Sequence, residues 1–400
     1  MSDFDAPVVK IRDIEPIEGA DRIALARVGD YRSVIRKDAF QAGDLAVYIP
    51  EAAIVPEWLL RQLGLWDAEK NKGRLAGSQG DRVKATRLRG TLSQGLLYPV
   101  LTDRGTPEIA TLDRADKTSR LAAELTRVPV AEGTDAADLL GLVKWEPEIP
   151  AEMLGEVCSI AGKTLRYDIE NLKRYPDVLA AGEPVRITEK LHGVMIQIGL
   201  WPGLNHPDLP DDGELIVASK GLGAKGLVFM DVPENADNVY LSAAKAERDA
   251  SGRGLAERLR ALAATGAFGL TADTPVFLVG ELYGEGIQDL GYGARTPEIR
   301  FFDVFVGTPQ QGRYLDAEEK DSFLEAIGAA QVPVLYDGPW DRAEADRLCA
   351  GRSTLAAADH IREGVVITPK HERVDPRAGR VILKHVSEAY LTRKGGTEYA

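Results

Sequence analysis

Thr188-Glu189-Lys190-Leu191-His192-Gly193 is the stretch of this sequence on which our prediction of fold and chemistry depends. Four later segments carry residue types that complement its lysine: Gly280-Glu281-Leu282-Tyr283-Gly284, Phe301-Phe302-Asp303-Val304-Phe305, Glu363-Gly364-Val365-Val366-Ile367 and Ile382-Leu383-Lys384. Together they supply a lysine able to attack a phosphate, carboxylates for a metal or a ribose, an aromatic ring for a base, and a second lysine. This combination predicts a nucleotidyl transfer that passes through a covalent lysine adduct.

Lys190 is the predicted nucleophile. It follows a predicted strand and precedes Gly193, which allows a close backbone approach at a tight turn. A free lysine has a pKa of about 10.4, so a nucleophilic lysine needs a cationic neighbour or burial to lose its proton. We expect Lys384 to lie close to Lys190, to lower its pKa and to hold a phosphate. A lysine near a glycine is by itself most often a surface residue, so this interpretation rests on the other four segments.

Glu281, Glu363 and Phe302 are the other predicted site residues of the second half of the chain. Glu281 ends an apolar stretch and Glu363 precedes one, and a carboxylate at the end of a buried strand is costly unless it meets a cation or a hydroxyl. The aromatic ring of Phe302 suits contact with a base. The alternative is that each carboxylate ends a strand facing water and that Phe302 is an ordinary core residue.

The composition is that of an ordinary globular protein, with 400 residues, 44% hydrophobic and 28% charged. The length predicts two or three domains. The formal net charge of −13 disfavours a nonspecific nucleic-acid coat protein but is compatible with an enzyme that has a local basic patch.

The location of the protein is predicted from what the sequence lacks. No apolar run approaches the roughly 20 residues that span a bilayer, and Met1-Ser2-Asp3-Phe4-Asp5 has no apolar signal core. Cys158 and Cys349 form no CxxC pair, so we expect reduced thiols. We therefore expect a cytoplasmic protein.

The first hundred residues alternate apolar and polar positions between closely spaced turn signals, which predicts a small β-barrel. Residues 106–150 have a weaker pattern, with a hint of a short helix at 121–125, and Pro147-Glu148-Ile149-Pro150 suits a boundary. We predict domains over residues 1–105 and 151–400, with residues 106–150 as a linker or domain-bridging segment.

The second domain is predicted to be of the α+β class. Apolar stretches predict strands at residues 185–187, 194–198, 215–218, 276–282, 299–306, 365–367 and 381–384, and apolar residues at helical spacing predict helices at 255–264 and 317–329.

Three other enzyme classes are disfavoured by the motifs. Residues 221–226 spell GxGxxG, but residues 227–230 resemble a strand where a dinucleotide fingerprint needs a helix, so we expect a hairpin there. The five histidines lack the spacing of zinc ligands, which disfavours a zinc hydrolase. No GxxxxGK[ST] occurs, which disfavours a P-loop enzyme.

Lys190-Leu191-His192-Gly193 resembles motif I of the lysine-adenylating nucleotidyltransferase superfamily, in the KxHG form of nick-sealing RNA ligases. The four later segments resemble motifs III, IIIa, IV and V in the same order. Pro16-Ile17-Glu18-Gly19-Ala20-Asp21 and Val47-Tyr48-Ile49-Pro50-Glu51 are similar to the N-terminal OB module of the fifth family of RNA ligases. The resemblance implies an α+β protein in which an OB-like β-barrel precedes an antiparallel-sheet-rich nucleotidyltransferase (adenylyltransferase) domain.

The resemblance also implies a role for each site residue. Lys190 would attack the α-phosphate of ATP, His192 would act when AMP passes to the 5′-phosphate, and Lys384 would hold the α-phosphate. The remaining implied roles are adenine contacts by Glu189 and Phe302, a ribose or metal contact by Glu281, metal binding by Glu363 and a nucleotide contact by Lys220. One or two Mg²⁺ or Mn²⁺ ions are implied.

The sequence departs from the superfamily pattern at three places. Lys220 stands where motif Ia usually has an arginine, Ile382 where motif V usually has a first lysine, and Met195 where phage-type relatives have an asparagine. These departures concern efficiency and metal preference more than the class of reaction.

Only a short tail follows Lys384, so we expect no C-terminal OB domain and assign contact with the broken strand to the front module. Arg82, Lys84, Arg87 and Arg89 alternate with less polar residues, as in a strand with one positive face. The alternative is a solvated charged hairpin.

We predict an ATP-dependent RNA ligase that seals nicks between a 3′-hydroxyl on RNA and a 5′-phosphate, through a lysyl-AMP and an adenylated 5′-phosphate. The expected partner is nicked duplex nucleic acid, with no membrane; the expected state is a monomer, and the expected process is RNA repair. The alternatives are a DNA ligase or a capping-type nucleotidyltransferase of the same superfamily, or a catalytically idle RNA-binding protein.

Overall fold

The computed structural model describes residues 4–112, 125–355 and 360–397. The chain divides into two compact units, and the division falls between Glu146 and Pro147. Within the described residues, no helix is both long and apolar enough to cross a bilayer.

The first unit is built almost entirely of short strands. They are β1 (Val8–Lys10), β2 (Asp13–Pro16), β3 (Ile23–Val28), β4 (Tyr31–Arg36), β5 (Leu45–Ile49), β6 (Ala53–Ile54), β7 (Trp66–Asp67), β8 (Lys72–Gly73), β9 (Thr86–Leu88), β10 (Thr91–Ser93), β11 (Leu96–Pro99), β12 (Glu108–Leu112), β13 (Leu125–Pro129) and β14 (Val143–Lys144). Two short helices, α1 (Glu57–Gln62) and α2 (Ala137–Leu140), accompany them. The strand order is β1-β5-β11 in one sheet and β2-β3-β4 in another, with the other strands in pairs.

Strand β5 lies in the middle of the first unit, with buried side chains on both of its faces. Its alternate residues Val47 and Ile49 belong to one buried cluster, and Ala46 and Tyr48 belong to another. Because successive side chains of a strand point to opposite faces, both faces of β5 are covered. The barrel-like arrangement predicted from the alternation and turn signals therefore forms around this strand.

The described residues between 106 and 146 pack as part of the first unit. Strand β14 pairs with β6, the Val8 N–H donates to the Thr134 carbonyl, and Leu140 is buried in the same cluster as Val47. Residues 106–150 were predicted to be a linker or domain-bridging segment. The structure differs, because the described residues up to 146 contribute strands and apolar side chains to the N-terminal core. Residues 121–124 of the predicted short helix lie outside the described residues, and residue 125 begins β13.

The second unit contains two five-stranded sheets. Its strands are β15 (Val157–Ser159), β16 (Glu170–Asn171), β17 (Pro184–Lys190), β18 (Val194–Leu200), β19 (Leu215–Ser219), β20 (Leu227–Phe229), β21 (Val276–Tyr283), β22 (Glu298–Val306), β23 (Arg313–Tyr314), β24 (Val334–Pro339), β25 (Gly364–Pro369), β26 (Val374–Asp375), β27 (Gly379–Arg380) and β28 (Leu383–Val386). Its helices are α3 (Pro210–Gly213), α4 (Lys220–Ala224), α5 (Val239–Ala246), α6 (Leu255–Ala263), α7 (Ala317–Ala326), α8 (Arg342–Cys349) and α9 (Glu388–Leu391). The sheet orders are β16-β28-β25-β17-β24 and β19-β18-β21-β22-β23, antiparallel except for the β16–β28 pair.

Three buried clusters arrange this unit in layers. One cluster covers the outer face of the first sheet and includes Leu348 of α8. Another covers the outer face of the second sheet and includes residues of α5, α6 and α7, such as Phe323. The third cluster contains residues of both sheets, among them Phe277 and Ile382, so the two sheets face each other across it.

The α+β prediction agrees with this structure strand by strand. Each strand predicted in the second unit is present, although the last begins two residues later than expected, at Leu383. The helix predicted over residues 317–329 ends at Ala326.

The hairpin prediction for residues 221–226 was wrong. Residues 220–224 form the short helix α4, whose first turn is capped because the Ser219 hydroxyl accepts a hydrogen bond from the Leu222 N–H. Strand β20 then pairs with β15 instead of with β19.

Candidate active site

Lys190 is the last residue of β17 and lies opposite Gly364 of β25. Its Nζ atom is 2.8 Å from Oε1 of Glu363, which is 6% exposed. Glu363 directly precedes β25, so the pairing of these two strands brings the lysine and the carboxylate together. The structure thus joins two residues that are 173 positions apart in the sequence into one ion pair.

The pKa of Lys190 is raised above its ordinary value. Burial of the ammonium acts to lower the pKa, but the charges of Glu363 and Glu281 and the hydrogen bond to Glu363 outweigh burial. We expected Lys384 to lower the pKa of Lys190. The net effect is the opposite, because the negative charges of the two carboxylates raise this pKa. Lys190 therefore stays protonated while both carboxylates face it.

Lys384 is the cation whose pKa is lowered, to about 8. Burial is the largest cause, followed by repulsion from Lys190 and Lys220. Lys384 pairs with Val366 of β25, which in turn pairs with Thr188 of β17. Since residues in register share a face and alternate residues return to it, Lys384 and Lys190 lie on the same face of the first sheet.

Glu281 approaches the same place from the second sheet. It pairs with Met195, and its Oε1 accepts a hydrogen bond of 3.0 Å from the Gly193 N–H. Burial raises the pKa of Glu281 to about 7, against the lowering influence of Lys190. A side chain at residue 193 would collide with the carbonyl oxygen of Leu282, so only glycine allows the turn after Lys190 to meet this strand.

Glu281 and Glu363 form a donor set that suits a divalent cation. Oε2 of Glu363 is buried and has no hydrogen-bond partner, and a buried carboxylate oxygen is costly unless a donor or a cation meets it. Mg²⁺ is usually held by one or two carboxylates together with substrate phosphates, so two carboxylates suffice. Among the described residues no group of three or more His, Cys, Asp or Glu side chains has metal-binding geometry.

His192 is 5% exposed and both of its ring nitrogens have partners. Nε2 lies 2.8 Å from Oδ1 of Asp289, and Nδ1 lies 2.8 Å from the hydroxyl of Tyr390. Burial lowers the pKa of His192, although the charge of Glu363 and the hydrogen bond with Asp289 oppose this. The ring is therefore a neutral imidazole fixed at both ends near neutral pH.

Glu189 lies on the opposite face of β17 from Lys190. It pairs with Val365, a residue of the outer cluster of the first sheet. Its Oε2 accepts hydrogen bonds from the backbone N–H and the hydroxyl of Thr354, at 2.8 and 2.7 Å, and lies 3.5 Å from Nε of Arg362. Its Oε1 is buried without a hydrogen-bond partner, so one acceptor of Glu189 is left for a donor that the described residues do not supply.

Phe302 is half-buried at the edge of the cluster between the sheets. Its ring centroid lies 5.5 Å from that of Tyr167. The next residue, Asp303, is buried and accepts hydrogen bonds of 2.7 and 3.1 Å from Arg380. This anchored neighbour fixes the strand that presents the Phe302 ring.

The remaining predicted residues of this unit lie around the same centre. Lys220 is half-exposed and pairs with Asp168, with 3.1 Å between Nζ and Oδ1. Met195 is partly buried between the sheets, and Ile382 is 2% exposed there. The place of the missing motif V lysine is therefore filled by a core side chain.

The basic residues predicted to contact nucleic acid lie in the first unit. Arg87 and Arg89 are exposed on the β9–β10 hairpin. The Arg82 guanidinium stacks 3.2 Å from the centroid of the Trp145 ring, and Lys84 is partly buried. Only residues 86–88 of the predicted basic strand form a regular strand.

Three residues that touch the His192 ring were not predicted from the sequence: Asp289, Tyr390 and Arg393. Asp289 lies in the glycine-rich turn after β21, and the other two lie in the tail after Lys384. No spacing in the sequence connects them with His192, and only the tertiary fold brings them together.

Comparisons with known proteins agree with this fold. The RNA ligase family model matches residues 183–386, just over half of the chain, and an OB-fold domain model matches residues 6–100. The predicted OB-like barrel followed by a strand-rich nucleotidyltransferase domain is thereby confirmed. No curated protein matches the sequence.

Solved structures of Naegleria gruberi RNA ligase are similar in fold to this chain. A variant with AMP and manganese has a TM-score of 0.66 and 22% identity, over 97% of this chain and 98% of that one. The structure with pyrophosphate has a TM-score of 0.66 and 23% identity over 97% and 98%. A variant with ATP and manganese has a TM-score of 0.64 and 21% identity over 96% and 98%.

The motif order, the pair of facing sheets with Lys190 between them, and the family match all lead to one assignment. This chain belongs to the RNA ligase family.

Proposed function

We propose that this RNA ligase is ATP-dependent and seals nicks with RNA on the 3′-hydroxyl side and a 5′-phosphate on the other, through a lysyl-AMP and an adenylated 5′-phosphate. The observation that carries the proposal is the 2.8 Å pair of Lys190 and Glu363, with Glu281 on the facing sheet and Lys384 on the same face. The lysine is thus held among the charges that a phosphoryl transfer needs.

In the first step, Nζ of Lys190 bonds to the α-phosphorus of ATP. The bond between that phosphorus and the oxygen bridging to the β-phosphate breaks, and pyrophosphate leaves with the electron pair. The ammonium proton leaves along the hydrogen bond to Glu363 before the attack. Lys384 faces the same centre and, when protonated, offsets the charge on the α-phosphate.

A divalent cation, Mg²⁺ or Mn²⁺, would be held by Glu281 and Glu363, and when bound it neutralises charge on the phosphates. This assignment is supported by the partnerless buried Oε2 of Glu363. Glu281 and Glu363 raise the pKa of Lys190 through their negative charges. A bound cation would neutralise part of those charges and so lower this pKa, which favours the neutral amine.

In the second step, an oxygen of the 5′-phosphate of the broken strand attacks the phosphorus of the lysyl-AMP. The bond to Nζ breaks, its electron pair stays on Nζ, and Nζ takes up a proton. In the third step, the 3′-hydroxyl oxygen attacks the phosphorus of the adenylated 5′-phosphate and gives up its proton to solvent. The bond from that phosphorus to the oxygen bridging to AMP breaks, and AMP leaves with the electron pair. We assign His192 to the second step, where the turn between Lys190 and Gly193 must admit the incoming phosphate.

The nucleotide would be recognised at the Lys190 end of β17. We assign Phe302 to stacking on adenine, Glu189 to the vicinity of the base, Glu281 also to the ribose, and Lys220 to the phosphates. The Naegleria structures hold AMP or ATP with manganese, or pyrophosphate, which are the ligands of the first step.

We assign duplex binding on either side of the nick to the N-terminal unit, with Arg82, Lys84, Arg87 and Arg89 as phosphate contacts. We propose that the nucleic-acid-binding domain is the unit that ends at Glu146 and that the ligase domain begins at Pro147. We further propose a cytoplasmic monomer that acts in RNA repair.

The test is incubation of the pure protein with α-labelled ATP and Mg²⁺ or Mn²⁺, beside Lys190→Ala and the matched control Lys225→Ala. Lys225 is exposed in the same unit. We expect acid-stable label on the wild type and on Lys225→Ala, and none on Lys190→Ala. The absence of label from the wild type with either metal, with ATP and with GTP, would instead indicate an idle RNA-binding protein.

Two further assays separate the remaining alternatives. A label from GTP in preference to ATP would indicate a capping-type enzyme. Nicked duplexes that differ only in ribose or deoxyribose at the 3′-hydroxyl end then test the acceptor, and equal sealing of both would favour a DNA ligase.

A further inference from the structure

The C-terminal segment and the turn after Lys190 meet at His192. Residues 387–397, here called the C-terminal strap, contain α9 and the residues that follow it. We propose that the strap and Asp289 position His192, and through it the turn that carries the nucleophile, for the transfer of AMP to the 5′-phosphate. The inference rests on the proposed function, because it deepens the role assigned to His192.

The first observation is that His192 has no free ring nitrogen. The Nε2 atom is 2.8 Å from Asp289 and the Nδ1 atom is 2.8 Å from the Tyr390 hydroxyl. The Nε2 atom also lies 3.2 Å from Nη2 of Arg393. The Asp289 carboxylate is the shorter contact and can only accept, so we assign the single proton of the neutral imidazole to Nε2, which leaves Nδ1 to accept from Tyr390. The ring of Tyr390 also packs edge-on against the imidazole, with centroids 5.2 Å apart. His192 is therefore a link between elements, and its own orientation depends on both partners.

The second observation is that Asp289 is itself fixed by the strap. Its two carboxylate oxygens each accept a hydrogen bond of 3.1 Å from Arg393. Its Oδ1 also accepts from the backbone N–H of Thr397 at 2.8 Å. These bonds hold the pKa of Asp289 well below its usual range although burial acts to raise it, so the carboxylate is charged. A charged acceptor in a fixed place selects one tautomer and one orientation of His192.

The third observation is that the same contacts reach the turn itself. The backbone N–H of His192 donates to the Tyr292 hydroxyl at 2.7 Å. The Gln288 side chain donates to the Gly193 carbonyl at 3.2 Å, and the Thr397 hydroxyl donates to Gln288 at 2.7 Å. The loop after β21, the strap and the turn after Lys190 thus form one hydrogen-bonded unit.

Asp289, Tyr390 and Arg393 are accordingly positioning residues, since they act through His192. The neighbouring charges of Glu363 and Lys190 also influence His192, so a loosened ring would lie beside the reacting centre without a fixed orientation. Small misplacements of reacting groups cost about 100-fold in rate. We expect removal of the Asp289 charge to slow AMP transfer by about 10- to 100-fold.

The test measures two half-reactions in single turnover: formation of lysyl-AMP, and transfer of AMP from the isolated adenylated protein to a 5′-phosphorylated nick. The variants are Asp289→Asn, Tyr390→Phe and Arg393→Ala, with Arg393→Lys as the conservative variant. The exposed neighbours Glu285→Gln and Lys394→Ala are matched controls. We expect each of the first three to slow transfer more than lysyl-AMP formation, Arg393→Lys to recover part of the rate, and both controls to match the wild type.

A double variant distinguishes positioning through His192 from a general structural role. If Asp289 acts through His192, then His192→Ala with Asp289→Asn transfers AMP no more slowly than His192→Ala alone. Multiplied losses in the double variant, unchanged transfer in Asp289→Asn, or an equal loss of both half-reactions would each overturn the inference. A wild type that forms no lysyl-AMP would instead overturn the proposed function.

Discussion

Lys190 and Lys384 lie on the same face of one sheet, two strands apart, yet the pKa of Lys190 is raised and that of Lys384 is lowered to about 8. The difference arises from the carboxylates. Glu363 is in hydrogen-bond contact with Lys190, and Glu281 adds its charge, whereas Lys384 is dominated by burial and by repulsion from Lys190. The charge of Lys190 is thus compensated by two carboxylates, whereas burial makes the charged form of Lys384 unfavourable in the folded protein.

Replacement of Lys384 by methionine should stabilise the protein while removing its activity. The folded pKa of about 8 lies below the ordinary 10.5, so the charged form opposes folding. Below pH 8 both states are protonated and the full cost applies, on the order of 3 kcal/mol for a pKa lowered from 10.5 to about 8. The cost declines as pH rises from about 8 to 10.5, where the folded state releases its proton before the unfolded state does.

Urea unfolding of wild type and Lys384→Met at pH 7 and pH 10 measures this effect. We expect the variant to be more stable at pH 7, with a gain that shrinks at pH 10, and to form little lysyl-AMP. A variant that is less stable than the wild type at pH 7 would show that attraction by the charges of Glu363 and Glu170 outweighs the cost of burying the ammonium.

Replacement of Glu363 by glutamine should reduce lysyl-AMP formation by about 100-fold, because preorganised charges at such sites are worth about that much. The amide removes the acceptor of the Lys190 proton and one of the two carboxylates assigned to the cation. The rate of label incorporation from ATP measures the loss, and Glu257→Gln, an exposed residue of α6, is the matched control. Retention of more than half of the wild-type rate at saturating metal would argue against both roles of Glu363.

The sheets of the second unit were predictable from the sequence because their apolar alternation is strong. In β18, residues 194, 196 and 198 belong to the outer cluster while Met195 lies between the sheets, as a period of two requires. The site prediction came from the combination of the five segments. Its residues Lys190, Glu281, Glu363 and Lys384 each lie within two residues of a strand end, and the strands concerned pair within the two facing sheets.

The surroundings of His192 were not predictable in this way. Asp289, Tyr390 and Arg393 are 97, 198 and 201 residues away from it along the chain, in a loop and a tail without periodic pattern. Likewise, the sequence does not indicate that two carboxylates raise the pKa of Lys190 by more than burial lowers it. Both features depend on distances that only the folded chain defines.

The exposed pair Arg87 and Arg89 in the first unit provides a test of nick binding that is independent of the chemistry. Both side chains are exposed at the β9–β10 hairpin, and Arg89 has a positive φ of 52°. Each arginine that contacts a phosphate releases counterions, so replacing both by alanine should weaken binding and reduce the salt slope of log K by about 1.8. The expected loss falls on duplex binding, while label transfer from ATP to Lys190 stays unchanged because that site is built from the second unit.

Binding of nicked duplex across a series of salt concentrations measures both effects. The exposed residues Arg22 and Lys37, replaced together by alanine, are the matched control, since that double variant removes the same charge from the same unit. If the control weakened binding as much as the hairpin variant did, the effect would be one of net charge. An unchanged affinity of the hairpin variant would show that the duplex contacts another surface. The partly buried cations Arg82, which stacks on Trp145, and Lys84 would then be replaced next.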